Sequence, residues 1–130
     1  MQFITLDEVL IIHDLMLDIG GGREGVHDFS LLHSAIERPK AQFDGVHLYT
    51  TIWLMGAALL HSMVKNHPFD DGNKRTAYFS TVRFLKKNNY ILAPNKAEII
   101  TFMVHVDVKN KTLEEVALWL EKNSKRTRRR

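Results

Sequence analysis

The chain has 130 residues, with 18 basic and 15 acidic side chains, a hydrophobic fraction of 45% and no cysteine. That length is one domain's worth, enough to bury roughly two thirds of the unfolded surface without staples, and the missing cysteine excludes disulfides and thiolate metal sites. The net charge of +3 is uneven: five of the cations (Lys125, Arg126, Arg128, Arg129, Arg130) lie in the last seven residues, leaving 13 basic against 15 acidic residues, a net −2, for the body.

Thr5-x-x-Glu8 has the form of a capping box. Leu6, Val9, Leu10, Ile12, His13, Met16 and Leu17 follow with helical spacing, predicting a helix toward Ile19 that Gly20-Gly21-Gly22 stops. The segment Gly20 to Gly25 lacks the Lys-Ser/Thr of a phosphate loop and follows a helix rather than a strand, so it reads as a mobile connector. Asp28 can cap a second helix over Phe29 to Glu37, ended by Arg38-Pro39. From Lys40 to Tyr49 the helical period disappears, and Phe43-Asp44-Gly45-Val46 sets a turn dipeptide between apolar residues; a small hairpin and a plain connecting loop are equal readings. The stretch from Thr51 to Asn66 is apolar all round, which predicts a central, buried third helix.

A fourth helix runs from Asn73 to Asn88, and Asn95-x-x-Glu98 and Thr112-x-x-Glu115 open two more, toward Val104 and Lys122. The architecture is therefore all-α. Met55, Met63, Met103, Trp53 and Trp119 read as packing residues, and the histidines other than His67 show no ligand spacing. The longest apolar run, Ile52 to Leu60, is too short to span a bilayer, and the N-terminus shows no charged-then-apolar signal pattern, so the expected compartment is the cytosol. Residues 1–123 are expected to form the domain and 124–130 a basic, disordered tail; with no interleaved aromatic the tail gives no reason to expect direct DNA binding.

The chemistry is concentrated in His67-Pro68-Phe69-Asp70-Asp71-Gly72-Asn73-Lys74-Arg75, between the third and fourth helices. Pro68 ends one helix, and Asp71, Gly72 or Asn73 can cap the next. Lys74 and Arg75 then fall in a first turn, where the helix dipole disfavours cations by roughly 0.3 to 1 kcal/mol each. An anion resting on the free N–H groups would reverse that sign, so the loop reads as a phosphate cradle. Asp71 is the candidate Mg²⁺ ligand, because a hard carboxylate holds an ion that keeps most of its waters. His67 is the candidate base for an incoming hydroxyl, because imidazole is the side chain most often used for proton transfer, and Phe69 is the candidate anchor of the loop. A plain helix cap would not call for two cations directly inside it.

This segment resembles the signature of the Fic/Doc family, His-x-Phe-x-Asp/Glu-Gly-Asn-Gly/Lys-Arg, and the likeness extends over most of the chain. It implies a Fic/Doc-type bundle of about six helices with a small β-hairpin flap that holds the target backbone by strand addition. It also implies that His67 deprotonates a target hydroxyl, that Asp71 holds Mg²⁺, and that Gly72, Asn73, Lys74 and Arg75 with the loop backbone bind nucleotide phosphates, with Lys65 as a further phosphate contact. Lys74 and Tyr78 replace the glycine and second arginine of the AMP-transferring members and are similar to the Doc (death-on-curing) branch. The resemblance thus implies a toxin of a toxin–antitoxin pair, which phosphorylates a Thr or Ser of a translation factor, elongation factor Tu, using ATP. No inhibitory Ser/Thr-x-x-x-Glu-Gly/Asn hexapeptide occurs in the chain, so restraint is expected in trans from a partly disordered, Phd-like antitoxin. The alternatives are a Fic-type AMP-transferase and a non-enzymatic, antitoxin-dependent corepressor module.

Overall fold

The computed structural model describes residues 1–127. Among them six helices follow in order, α1 (Leu6–Gly20), α2 (Phe29–Glu37), α3 (Ile52–Asn66), α4 (Asn73–Lys87), α5 (Lys96–Val108) and α6 (Leu113–Lys122), with a 3₁₀ turn at Arg38–Lys40. Side chains start five of the helices, four of them at caps that the sequence predicts and α3 at Thr51, which the sequence marks only as the start of an apolar stretch. Thr5 and Thr112 form complete capping boxes with Glu8 and Glu115, and Asp28 and Thr51 accept from the N–H three residues on. Asn95 caps α5 through the N–H of Ala97 instead. The exception is α4, where Gly72 is the N-cap and no side chain covers the first turn.

Helix α3 is the axis, packed by α2, α4 and α6, with Ala57, Ala58, Leu59, Leu60 and Met63 fully enclosed. An all-apolar helix can be satisfied only in such a position. Trp119 stacks on Phe102 and Trp53 meets Tyr90 edge-on, which makes both indoles packing residues. The hairpin reading also holds: β1 (Gln42–Phe43) pairs antiparallel with β2 (Val46–His47) across Asp44-Gly45, both at positive φ (51° and 77°) as a tight primed turn requires. Arg38 anchors the base of this flap, donating to Tyr49 Oη at 2.9 Å, to Ser62 Oγ at 2.7 Å and to His61 Nδ1 at 3.3 Å. Burial, then the charges of Arg38 and Lys65, holds the His61 pKa below the ordinary imidazole value.

The basic C-terminal stretch departs from expectation at its start. Ser124–Arg126 form strand β4, antiparallel to β3 (Tyr90–Leu92). Ser124 Oγ donates to Leu120 O and Thr127 N to Asn89 O, so the chain is ordered by backbone pairing that its charged composition does not reveal. Arg128–Arg130 of the expected tail lie outside the described residues.

Glu8 fastens α1 to α4, accepting from Thr5 N at 2.9 Å, Lys87 Nζ at 2.6 Å and Arg83 Nε at 2.9 Å. Burial pushes its pKa up, but the hydrogen bonds from Lys87, Thr5 and Arg83 outweigh it and bring the group from 4.5 down to about 2. A depressed folded-state pKa contributes stability that is present above the unfolded value and lost as pH falls toward 2. Glu8→Gln is expected to cost about 1–2 kcal/mol at pH 7, after discounting for solvent screening. In urea unfolding across pH, the gap to the unmodified protein should close as the pH falls below 4.5.

Candidate active site

The α3–α4 loop is held in one shape by contacts from both sides. His67 terminates α3 at φ 52°, in the left-handed region that a non-glycine residue adopts at a cost. Pro68 O then accepts from the N–H groups of His27 and Asp28. Phe69 turns inward, 1% exposed, and its ring stacks on His13 at 3.7 Å between centroids. Gly72 at φ 79° lets the chain swing directly into α4.

Asn73 organises the loop interior. Its Oδ1 accepts from Phe69 N at 2.9 Å and its Nδ2 donates to Phe69 O at 2.9 Å, which fixes the amide's orientation. The remaining amide hydrogen is directed at His67 Nδ1, 3.0 Å away. An amide N–H only donates, so Nδ1 is the acceptor and the neutral ring carries its proton on Nε2. Asn73 is 7% exposed and its amide is committed to Phe69 and His67, so it braces the loop and occupies His67 Nδ1 as well as lining the cavity.

Asp71 is half-exposed, and its Oδ2 accepts from Arg23 N at 2.8 Å with Arg23 Nε at 3.6 Å. The backbone N–H of Arg23 is the main reason its pKa lies below the ordinary carboxylate value; slight burial opposes this, and the charges of Arg23 and Arg75 assist it. The carboxylate is thus held ionised. Among the described residues no group of three or more His, Cys, Asp or Glu could hold a metal. A lone ionised carboxylate does fit a Mg²⁺ ion that keeps its waters and takes phosphate oxygens as further ligands.

The two first-turn cations have partners beyond their own helix. Arg75 donates to Met16 O at 2.9 Å and Gly21 O at 3.1 Å, at the negative end of the α1 dipole. A Cβ on Gly20 would fall 1.4 Å from Arg75 Nη1, so a side chain there would push the guanidinium off these two carbonyls. Lys74 pairs with Asp107 of α5 at 3.2 Å. His67, Asp70, Asp71, Gly72, Asn73, Lys74 and Arg75 line one polar cavity of about 360 Å³. Lys65 is not among them; its ammonium is bound by Asp107 O and Asn110 Oδ1 at the α5 C-terminus, where the helix dipole favours a cation.

The Gly20 to Gly25 segment is no free connector. Gly21 O receives Arg75, Arg23 N holds Asp71, and Gly25 O receives Asp70 N at 3.2 Å. Sequence reasoning missed this because each contact uses the segment's backbone, which no residue type announces. Tyr78, also singled out by its position, is buried, and burial pushes its phenol up to about 12, so it has no acid–base role near neutrality.

A histidine, an ionised carboxylate and an uncapped helix N-terminus, presented by one loop between two central helices, define a helical protein of the His-x-Phe-x-Asp-Gly-Asn-Lys-Arg type. The Fic/DOC family model matches residues 3–85, from before α1 into the last turn of α4, and the chain belongs to that family as a Doc-like member. It is 45% identical over 92 residues to "Toxin Doc" of Mycolicibacterium smegmatis (strain ATCC 700084 / mc(2)155), which is 71% of this chain and 68% of that protein. It is also 31% identical over 88 residues to "Protein kinase doc" of Escherichia phage P1, covering 68% and 69% of the two chains.

Proposed function

We propose that this chain is the toxin of a toxin–antitoxin pair, a Doc-type kinase that transfers the γ-phosphate of ATP to a Thr or Ser hydroxyl of a translation factor in the cytosol, with elongation factor Tu the expected target. The observation that carries the reading is the convergence of His67, Asp71 and the uncapped α4 N-terminus on one cavity. The name of the phage relative, a protein kinase, and the Lys74 and Tyr78 pair favour phosphoryl over AMP transfer.

In this reaction the hydroxyl oxygen bonds to the γ-phosphorus as the bridge to the β-phosphate breaks, ADP leaves, and the hydroxyl proton passes to His67. His67 can accept it only when the Asn73 N–H contact at Nδ1 is exchanged for the substrate. The N–H groups of the α4 first turn face the phosphates, with Lys74 and Arg75 adding charge. Asp71 would hold Mg²⁺, which neutralises polyphosphate charge when bound. The β1–β2 flap, with both outer edges unpaired among the described residues, offers the target backbone a strand to join.

The toxin reading rests on the name of the mycobacterial relative and implies an antitoxin in trans. Helix α5 suits such a partner, since it is apolar on nearly every side and leaves Ile100, Val104 and Val108 exposed. The deciding experiment incubates the protein and bacterial lysate with ATP labelled on the α- or the γ-phosphate. Label from γ alone on a protein is the expected outcome. Label from α would replace the kinase with an AMP-transferase, and no label from either would leave the corepressor module.

A further inference from the structure

The mechanism leaves one buried ionisable side chain beside the motif unused. His13, on α1 and 4% exposed, lies flat against Phe69 with 10° between the rings, and its Nε2 is 2.9 Å from Asp71 O. A carbonyl only accepts, so Nε2 carries the proton and donates. One imidazole therefore touches both ends of Phe69-Asp70-Asp71, by its face at the first residue and its edge at the last. The Asp71 carbonyl belongs to the peptide that leads into Gly72 at φ 79°. Pinning that peptide plane fixes the backbone from which the Asp71 carboxylate projects, while Arg23 N holds the carboxylate from the other side.

We propose that His13 is a positioning residue for the cation site: through its Nε2–H bond to the Asp71 carbonyl it holds the Asp71 carboxylate in the orientation that binds a divalent ion. The inference rests on the reading of Asp71 as the cation ligand. Groups that orient a ligand from behind typically change metal affinity by 10- to 100-fold when removed. The helical spacing of His13 with Val9 and Met16 hides this role, because it is also the spacing of a core residue.

The test separates the ring's stacking from its hydrogen bond. His13→Phe keeps an aromatic face on Phe69 and removes the donor, whereas His13→Gln removes the face and restores an N–H near the Nε2 position. The unmodified protein, both variants and Asp71→Asn are titrated with Mn²⁺ in the presence of ATP. Free Mn²⁺ is read by electron paramagnetic resonance, and urea unfolding is followed in parallel. The unmodified protein should bind Mn²⁺ beyond what ATP alone retains, Asp71→Asn should lose that increment, and His13→Phe should weaken it roughly tenfold or more. His13→Gln should stay within about threefold of the unmodified protein, despite its lost stacking, because the donor is kept. Equal affinity in His13→Phe, or a folded His13→Gln that binds no better than His13→Phe, overturns the proposal and leaves His13 a packing residue. Should His13→Phe not fold, a weakened His13→Gln overturns it and a near-normal one supports it. An Asp71→Asn variant that binds as well as the unmodified protein overturns the reading of Asp71, and the inference with it.

Discussion

Replacing His67 by Ala is expected to lower transfer of labelled phosphate to the target by roughly 10²- to 10⁴-fold, the range in which a positioned general base contributes. The unfolding midpoint should hardly move. His67 is exposed, and its side chain is held by the Asn73 N–H at 3.0 Å, so the change in stability should stay within about 0.5 kcal/mol. That separation is the point of the experiment. A variant that unfolds early would trace its inactivity to the fold, and one that transfers phosphate at near-normal rates would refute the base assignment. The contact with Asn73 adds a second expectation. Asn73→Ala removes the N–H that occupies Nδ1 but also strips Phe69 N–H and C=O of their partners, so its loss of activity should come with a measurable loss of stability. His67→Ala changes the rate alone.

Local signals carried much of this fold into the sequence. Four cap residues, Thr5, Asp28, Asn95 and Thr112, mark helix starts because a side-chain oxygen satisfying an orphan N–H is a short-range event that residue type encodes. The motif loop is legible for the opposite reason, because Gly72 leaves α4 without a side-chain cap while two cations follow. Contacts made by backbone across long separations are invisible in the same way that caps are visible. Arg23 N on Asp71, 48 residues away, needs nothing of arginine, and the β3–β4 pairing that orders Ser124–Arg126 overrides a composition that reads as a solvated end. Lys65 shows the complementary error. A lysine two residues before the base invites a phosphate role, but α3 directs its side chain to the C-terminus of α5, whose carbonyls compete for the same charge.

The largest stability effect is expected at Phe69, where the site and the core share one side chain. Its ring is 1% exposed and stacked on His13, and its backbone N–H and C=O are both bonded to Asn73. Phe69→Ala should therefore cost about 3–5 kcal/mol, the lost transfer energy plus a cavity that α1 and α4 cannot close. Against a total of roughly 5–15 kcal/mol for a domain this size, such a loss leaves the fold marginal. Phe69→Leu keeps most of the volume and should cost about 1–1.5 kcal/mol in urea unfolding. The informative comparison is activity in Phe69→Leu under conditions where it is fully folded. If Phe69 only fills space, transfer should fall no further than the folded fraction does. If the ring fixes the loop that bears His67 and Asp71, transfer should fall by more than tenfold in a folded protein, since misplacing a reacting group by about 1 Å can cost on the order of 10²-fold.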